Sequence, residues 1–309
     1  MISRRNIRVK VMQALYAVES QESLIKPGEP ERLLQKHFDQ TGHLLVYITY
    51  FLTELARYAE VDSRNRAAKH LPTAEDLAVN TKLAGNELIW KILELPSWQA
   101  AVKETKPQQW LDQELVRKLY LELVEKDAYK KYILEQSRDR KEEKAMVDLL
   151  FGELMIGKEE FISHLEETFS NWNDDGEMMI LLISNFLNKP GSYNFQELIS
   201  KEKRDFAFSL LKTAIEKREH TLEYIKPKLK NWDAERIAVL DMILMRLGVC
   251  EFLYFETIPP KVTINEYIDL AKEYSTVQSG QFVNGILDNI HKDLVSENKM
   301  HKVSFKPKS

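Results

Sequence analysis

The amino-acid sequence predicts an all-α protein, and three observations carry that prediction. Apolar residues recur at helical spacing through most of the chain, as in Leu111, Leu115, Leu119 and Leu123. Alternation at period two, the mark of a half-buried strand, is absent. Several periodic stretches are preceded by a Ser, Thr or Asp that can cap a helix, and Pro and Gly punctuate the gaps between them.

Residues 3–18 read as one helix. Ile7, Val11, Ala14, Leu15 and Val18 form one apolar stripe, and Val9, Met12 and Tyr16 form a second on the opposite side. Such a helix is sandwiched, or presents one side to a partner. Arg4 and Arg8 lie one turn apart on a flank, with Arg5 and Lys10 elsewhere around the cylinder. Basic residues at a helix start oppose the macrodipole, so they need another reason to be there: phosphate contact or ordinary solvation. Tyr16 reads equally as a core residue or as an interface residue, its hydroxyl needing a partner in the first case.

Residues 21–200 are helical by period. Loop signals fall at Pro27-Gly28-Glu29-Pro30, Leu71-Pro72, Pro96, Pro107, Gly157 and Pro190-Gly191, which leaves helices over 31–40, 44–69, 81–94, 109–135, 139–154, 159–171 and 177–188. Glu142-Glu143, Glu159-Glu160 and Glu166-Glu167 read as solvated helix faces. A long helix over 200–226, with Ala207, Leu211, Ala214, Ile215, Leu222 and Ile225 inward, is stopped by Pro227. Asp233 caps the next. Residues 237–253 are apolar all the way round, as in a helix at the middle of a bundle. Gly248 inside it costs about 1 kcal/mol in propensity relative to alanine, so a neighbouring helix is expected to approach closely there.

Residues 261–290 pack two further helices into a hairpin. Thr263 with Glu266 reads as a capping box and Val262 with Tyr267 as a hydrophobic staple, starting a helix near Ile264. Its inward face is Ile264, Tyr267, Ile268, Ala271 and Tyr274. After a four-residue break, Ser279 caps a second helix with Phe282, Val283, Ile286, Leu287 and Ile290 inward and Gln281, Asn284 and Asp288 outward.

With 309 residues, 44% of them hydrophobic, the chain has room for two domains with cores of their own. No stretch reaches the ~18 consecutive apolar residues of a membrane span, and the first residues lack the apolar run of a signal peptide, so a cytoplasmic location is expected. The single cysteine, Cys250, fits a reducing compartment and a packed side chain. The net charge of −4 hides a local asymmetry: residues 1–20 hold four basic side chains and one acidic, residues 151–200 two basic and nine acidic, and the chain from Lys299 four lysines and no acid. That distribution suits contact with a short stretch of nucleic acid at one end, not broad wrapping. No H-E-x-x-H, G-x-S-x-G, Walker or G-x-G-x-x-G motif is present and the seven histidines are scattered, so neither catalysis nor a metal or other cofactor is expected.

The segments I-N-E-x-I-x-L-A-K and S-x-x-F-V-N-G-x-L-D, preceded by I-P-P-K-V, together with N-W-D-A-E-R-I-A-V-L-D-M-I-L-M-R-L-G-V-C-E-F-L-Y upstream and Gln13-Ala14-Leu15-Tyr16 after the arginines, resemble the NusB family of transcription antitermination factors. The resemblance implies two small helical subdomains enlarged by a helical insertion, divided here as residues 1–20 for the first helix, 21–200 for the insertion, 201–295 for the C-terminal bundle and 296–309 for a disordered basic tail. It implies an RNA-binding antitermination factor that joins boxA-type single-stranded RNA of ribosomal RNA operons, the ribosomal protein NusE and the RNA polymerase antitermination complex. The alternative is a helical protein-interaction scaffold that keeps the fold without RNA. Carried over, RNA contacts fall on Arg4, Arg5, Arg8, Lys10, Gln278, Ser279 and Gln281, and partner contacts on Tyr16, Glu235, Asp241 and Phe282. Arg246 and Glu251 match structural positions. The chain departs from the family's D-S-H-K-F-V-N-G, reading Gln278-Ser279-Gly280-Gln281-Phe282 instead, so one repulsive and two attractive charges toward phosphate are missing together.

Overall fold

Most backbone groups of the described residues find their partners within helices. The computed structural model describes residues 2–20, 26–229 and 237–303; it is 78% helical, and no strand occurs among the described residues. The chain divides into two compact units, one of Asp39–Leu198 and the other of Ile2–Phe38 with the chain from Ile199 onward. No described helix is long and apolar enough to cross a membrane.

The first unit takes most of α2 (Glu29–Ala67), then α3 (Ala74–Leu77), α4 (Glu87–Leu93), α5 (Pro96–Thr105), α6 (Gln113–Glu125), α7 (Asp127–Leu134), α8 (Arg140–Leu149), α9 (Glu159–Thr168) and α10 (Trp172–Asn188). Its core includes Leu44, Ile48, Phe51, Leu52 and Leu55 of α2, with Leu119, Leu123, Phe161 and Leu165 also buried and the Phe51 and Phe161 ring centroids 4.7 Å apart. The helices expected over 31–40 and 44–69 are one helix, because the propensity cost of Gly42, about 1 kcal/mol, is small beside the packing on either side. Helix 109–135 is broken instead: Lys126 is extended (φ −72°, ψ 133°), separating α6 from α7. Pro96, read as a break, opens α5, where its missing N–H costs nothing. Asn86, Asp112 and Asp139 cap α4, α6 and α8 through side-chain oxygens. Leu150–Ile156 continues α8 as a π-helix, closed by the Gly157 N–H donating to Gly152 O at 2.9 Å. Glu143, expected on a solvated face, is buried; it accepts from the Glu87 N–H at 2.7 Å and the Tyr132 hydroxyl at 2.7 Å and pairs with Arg138 at 3.3 Å.

The second unit is built from α1 (Arg4–Glu19), the first turns of α2, α11 (Lys201–Glu216), α12 (Arg218–Ile225), α13 (Val239–Tyr254), α14 (Pro260–Tyr274) and α15 (Val277–Ser296). α13 is the middle of the bundle, and Ile243 through Phe252 are all buried. Gly248 makes the expected close approach, since a Cβ there would lie 2.8 Å from Leu287 Cδ2 on α15. α1 is sandwiched, with Ile7, Val9, Val11, Met12, Ala14, Leu15 and Val18 all buried.

Several local expectations are corrected here. The long helix over 200–226 breaks at Lys217, and Ile215 is 37% exposed. α14 starts at Pro260, a turn before the expected capping box; Thr263 is buried and its hydroxyl donates to Glu251 instead, while Val262 is exposed. α15 is capped by Thr276, whose hydroxyl oxygen accepts from the Ser279 N–H at 3.0 Å, so Ser279 lies inside the first turn. The segment beyond Ser296, expected as a free tail, is held as far as Val303: Lys302 donates to Glu251 O and Phe255 O at the end of α13, and Lys299 lies over the Tyr224 ring. Asp233 lies outside the described residues.

Candidate nucleic-acid interface

The start of α1 is fixed by Ser3, whose hydroxyl accepts from the Asn6 N–H at 3.1 Å. Four basic side chains leave the next two turns, and the structure divides them. Arg4 is exposed and pairs with Glu202 at 2.7 Å, its guanidinium 5.7 Å from the Phe206 ring centroid. Arg5, partly exposed, pairs with Glu273 at 2.6 Å and lies 3.9 Å from Asp269 on α14.

Arg8 turns inward and is 2% exposed, which corrects its expected place on an RNA face. Its Nε donates to Glu251 Oε1 at 2.7 Å and a terminal nitrogen to Oε2 at 3.1 Å, while Thr263 and Tyr267 donate to the same carboxylate at 2.8 and 2.9 Å. Burial opposes its charge, but the Glu251 bonds outweigh that and hold the Arg8 pKa above its ordinary value. A guanidinium sequestered this way has no geometry left for phosphate. Lys10 is also buried and is removed from the face for the same reason, the sandwiching of α1.

The other half of the face is the start of α15. Gln278 and Gln281 are exposed, whereas Ser279 is buried and donates to Asp241 Oδ2 at 2.8 Å. That bond corrects two expectations together. Ser279 and Asp241, both expected on open faces, are buried, and they tie the first turns of α13 and α15. The residue that sequence reasoning misses is Lys272, the last letter of the L-A-K run. It lies 3.9 Å from Asp269, and its stem crosses the start of α15 so closely that a Cβ on Gly280 would be 2.6 Å from Lys272 Cγ. Glycine at 280, where the family signature has a histidine, makes the room. A continuous run of contacts, Arg5–Asp269–Lys272–Gly280, therefore joins the basic start of α1 to the start of α15.

Among the expected partner residues, Tyr16 stands 47% exposed, Phe282 is half-buried and Glu235 lies outside the described residues. Val277 beside Gln278 is 66% exposed. Arg246, marked as structural, pairs with Glu19 and donates to Ala214 O at 2.7 Å. Cys250 is buried, and its pKa is pushed up to about 12, by burial first. No metal-holding group of His, Cys, Asp and Glu occurs among the described residues.

Fold and face together define an all-α bundle around a buried central helix, with basic side chains gathered where α1, α14 and α15 meet. Residues 167–292 match the model of the NusB family. The chain is 44% identical over 101 residues to the transcription antitermination protein NusB of Methylacidiphilum infernorum, a region covering 33% of this chain and 70% of that protein. Against the proteins of the same description from Chloroherpeton thalassium and Salinibacter ruber, identity is 40% and 42% over 99 residues, 32% of this chain in each case. The chain belongs to the NusB family. The matched region spans 47% of the Chloroherpeton protein and 62% of the Salinibacter protein, and the family match takes in α10, upstream of residue 201. No solved structure matches the chain significantly.

Proposed function

We propose that this chain is an RNA-binding transcription antitermination factor that recognises boxA-type single-stranded RNA of ribosomal RNA operons together with NusE, and acts within the RNA polymerase antitermination complex. The observation that carries the reading is the joined face of Arg4, Arg5, Lys272 and the start of α15, in a chain whose relatives are described as transcription antitermination proteins. Arg4 and Arg5 supply phosphate contacts, for which their present carboxylate partners stand in. Gln278 and Gln281 present amides that both donate and accept, the chemistry needed to read an unpaired base edge. Tyr16 and Phe282 are the residues offered to NusE. The domain reading that goes with this proposal makes the chain after α1 an insertion on the family core; expected over 21–200, it is set here to end before residue 167, where the family match begins.

The test is binding of a short boxA-type RNA by the purified chain at several salt concentrations, with and without the cognate NusE. Binding that strengthens with NusE and weakens steeply with salt is expected. No binding under either condition would overturn the RNA reading in favour of the scaffold.

A further inference from the structure

A groove of about 500 Å³ runs between α7 and the α8–π segment, wholly within the first unit. Its floor is apolar: Tyr132, Met146 and Leu149, with Ala128 and Ala145 as low walls. Four carboxylates, Glu135, Glu142, Asp148 and Glu153, stand around it against one cation, Lys131. Asp148 is answered by Lys144 and Glu153 by Lys126, at 3.0 Å in the second case. The side chain of Glu135 has no ion-pair partner among the described residues, and Glu142 Oε2 is shielded from water with no hydrogen-bond partner. A carboxylate oxygen withdrawn from water without a donor costs free energy that a cation would restore. The π-turn contributes to the shape, because i to i+5 winding carries Glu153 out of the register of α8. Leu134, next to Glu135 at the end of α7, is 80% exposed.

We propose that this groove docks a helical segment of a basic protein partner, one whose lysine or arginine side chains flank an apolar stripe. Charge complementarity sets the sign of the partner: apolar contacts fall on the floor and cations on Glu135 and Glu142. The floor offers no backbone hydrogen-bond donors or acceptors in a row, so the segment must satisfy its own backbone, which an extended peptide does not do and a helix does. Two helices already form the walls, and a third packs between them as helices ordinarily do. The open side, along exposed Ala128, Lys131 and Ala145, suits a macromolecular segment more than an enclosed metabolite.

The experiment uses the full chain and three labelled peptides of equal length, read by fluorescence anisotropy: an amphipathic leucine–lysine helix, the leucine–glutamate helix, and a serine–lysine peptide with the same charge. The leucine–lysine helix is expected to bind, and the other two at least about tenfold more weakly. Glu135→Gln with Glu142→Gln is expected to weaken it about tenfold, and Ala145→Trp, which fills the groove from an exposed position, to abolish it. Circular dichroism and melting of each variant establish that it is folded. Equal binding of the serine–lysine peptide, or indifference of the leucine–lysine helix to both the charge variant and Ala145→Trp, would overturn the proposal. Concentration-dependent self-association of the chain in sedimentation, lost in Ala145→Trp, would also overturn it by making a second copy the occupant.

Discussion

Glu251 accepts four hydrogen bonds from three side chains, Arg8, Thr263 and Tyr267, and so joins α1 and α14 to the buried helix α13. Its burial is tolerable only because Arg8 is buried with it; remove one charge and the other is stranded. Glu251→Gln is therefore expected to lose about 3–5 kcal/mol of stability, the cost of breaking a buried pair from one side. Urea denaturation measures it, and a loss under about 1 kcal/mol would mean that water reaches Arg8. Cys250, on the same helix, gives a chemical reading of the same core. Burial holds its thiol up to about 12 against an ordinary value of 9.0. The folded state therefore keeps a proton that the unfolded state releases, so this contribution to stability is complete below pH 9.0 and declines as pH rises toward about 12. Native protein is expected to resist thiol alkylation at pH 8 and to react fully in denaturant; rapid labelling of the native chain would contradict the packing of α13.

Between elements, the tightest contact is between α13 and α15 at Gly248 and Leu287. Gly248→Ala gains about 1 kcal/mol of helix propensity, yet its methyl needs space that Leu287, fully buried, already fills. Overpacking costs about 1–3 kcal/mol, so a net loss is expected, and Leu287→Val should recover part of it in a double-mutant cycle. Additive effects would place the strain elsewhere. This contact is legible in the sequence, because a glycine in an all-apolar helix gives up propensity that a closely packed neighbour offsets. So is the buried status of α13. Local chemistry is less legible. Thr263 and Ser279 have the spacing of helix caps, but their hydroxyls donate to Glu251 and Asp241, residues at least twelve positions away. Capping rules see only neighbours, and a buried carboxylate competes for the same hydroxyl. Arg8 and Lys10 are hidden for a related reason: charge at a helix start reads as solvated, and only the position of Glu251 turns Arg8 inward. Lys272 is not legible at all, because nothing in the spacing shows that Gly280 makes room for its stem.

For the whole molecule, a chain of net charge −4 that binds RNA must do so locally. At physiological salt, charges more than a Debye length of about 8 Å from the contact are largely screened, so under the proposed reading the carboxylates that oppose Arg4, Arg5 and Lys272 are their own partners, Glu202, Glu273 and Asp269, which phosphate must displace. Each phosphate contact to single-stranded RNA contributes about 0.7 to the slope of log affinity against log salt. Replacing Arg4 and Arg5 with alanine is therefore expected to weaken binding and to flatten that slope by about 1.4, twice the value for one contact. Lowering salt to about 0.01 M extends the Debye length to about 30 Å; the acidic surface then repels RNA, and the plot should bend toward lower affinity than a straight line predicts. Titrations of the parent chain and the double variant across that range check both effects. A straight line with an unchanged slope in the variant would mean that the phosphates are held by other cations, and the face at α1, α14 and α15 would lose its role.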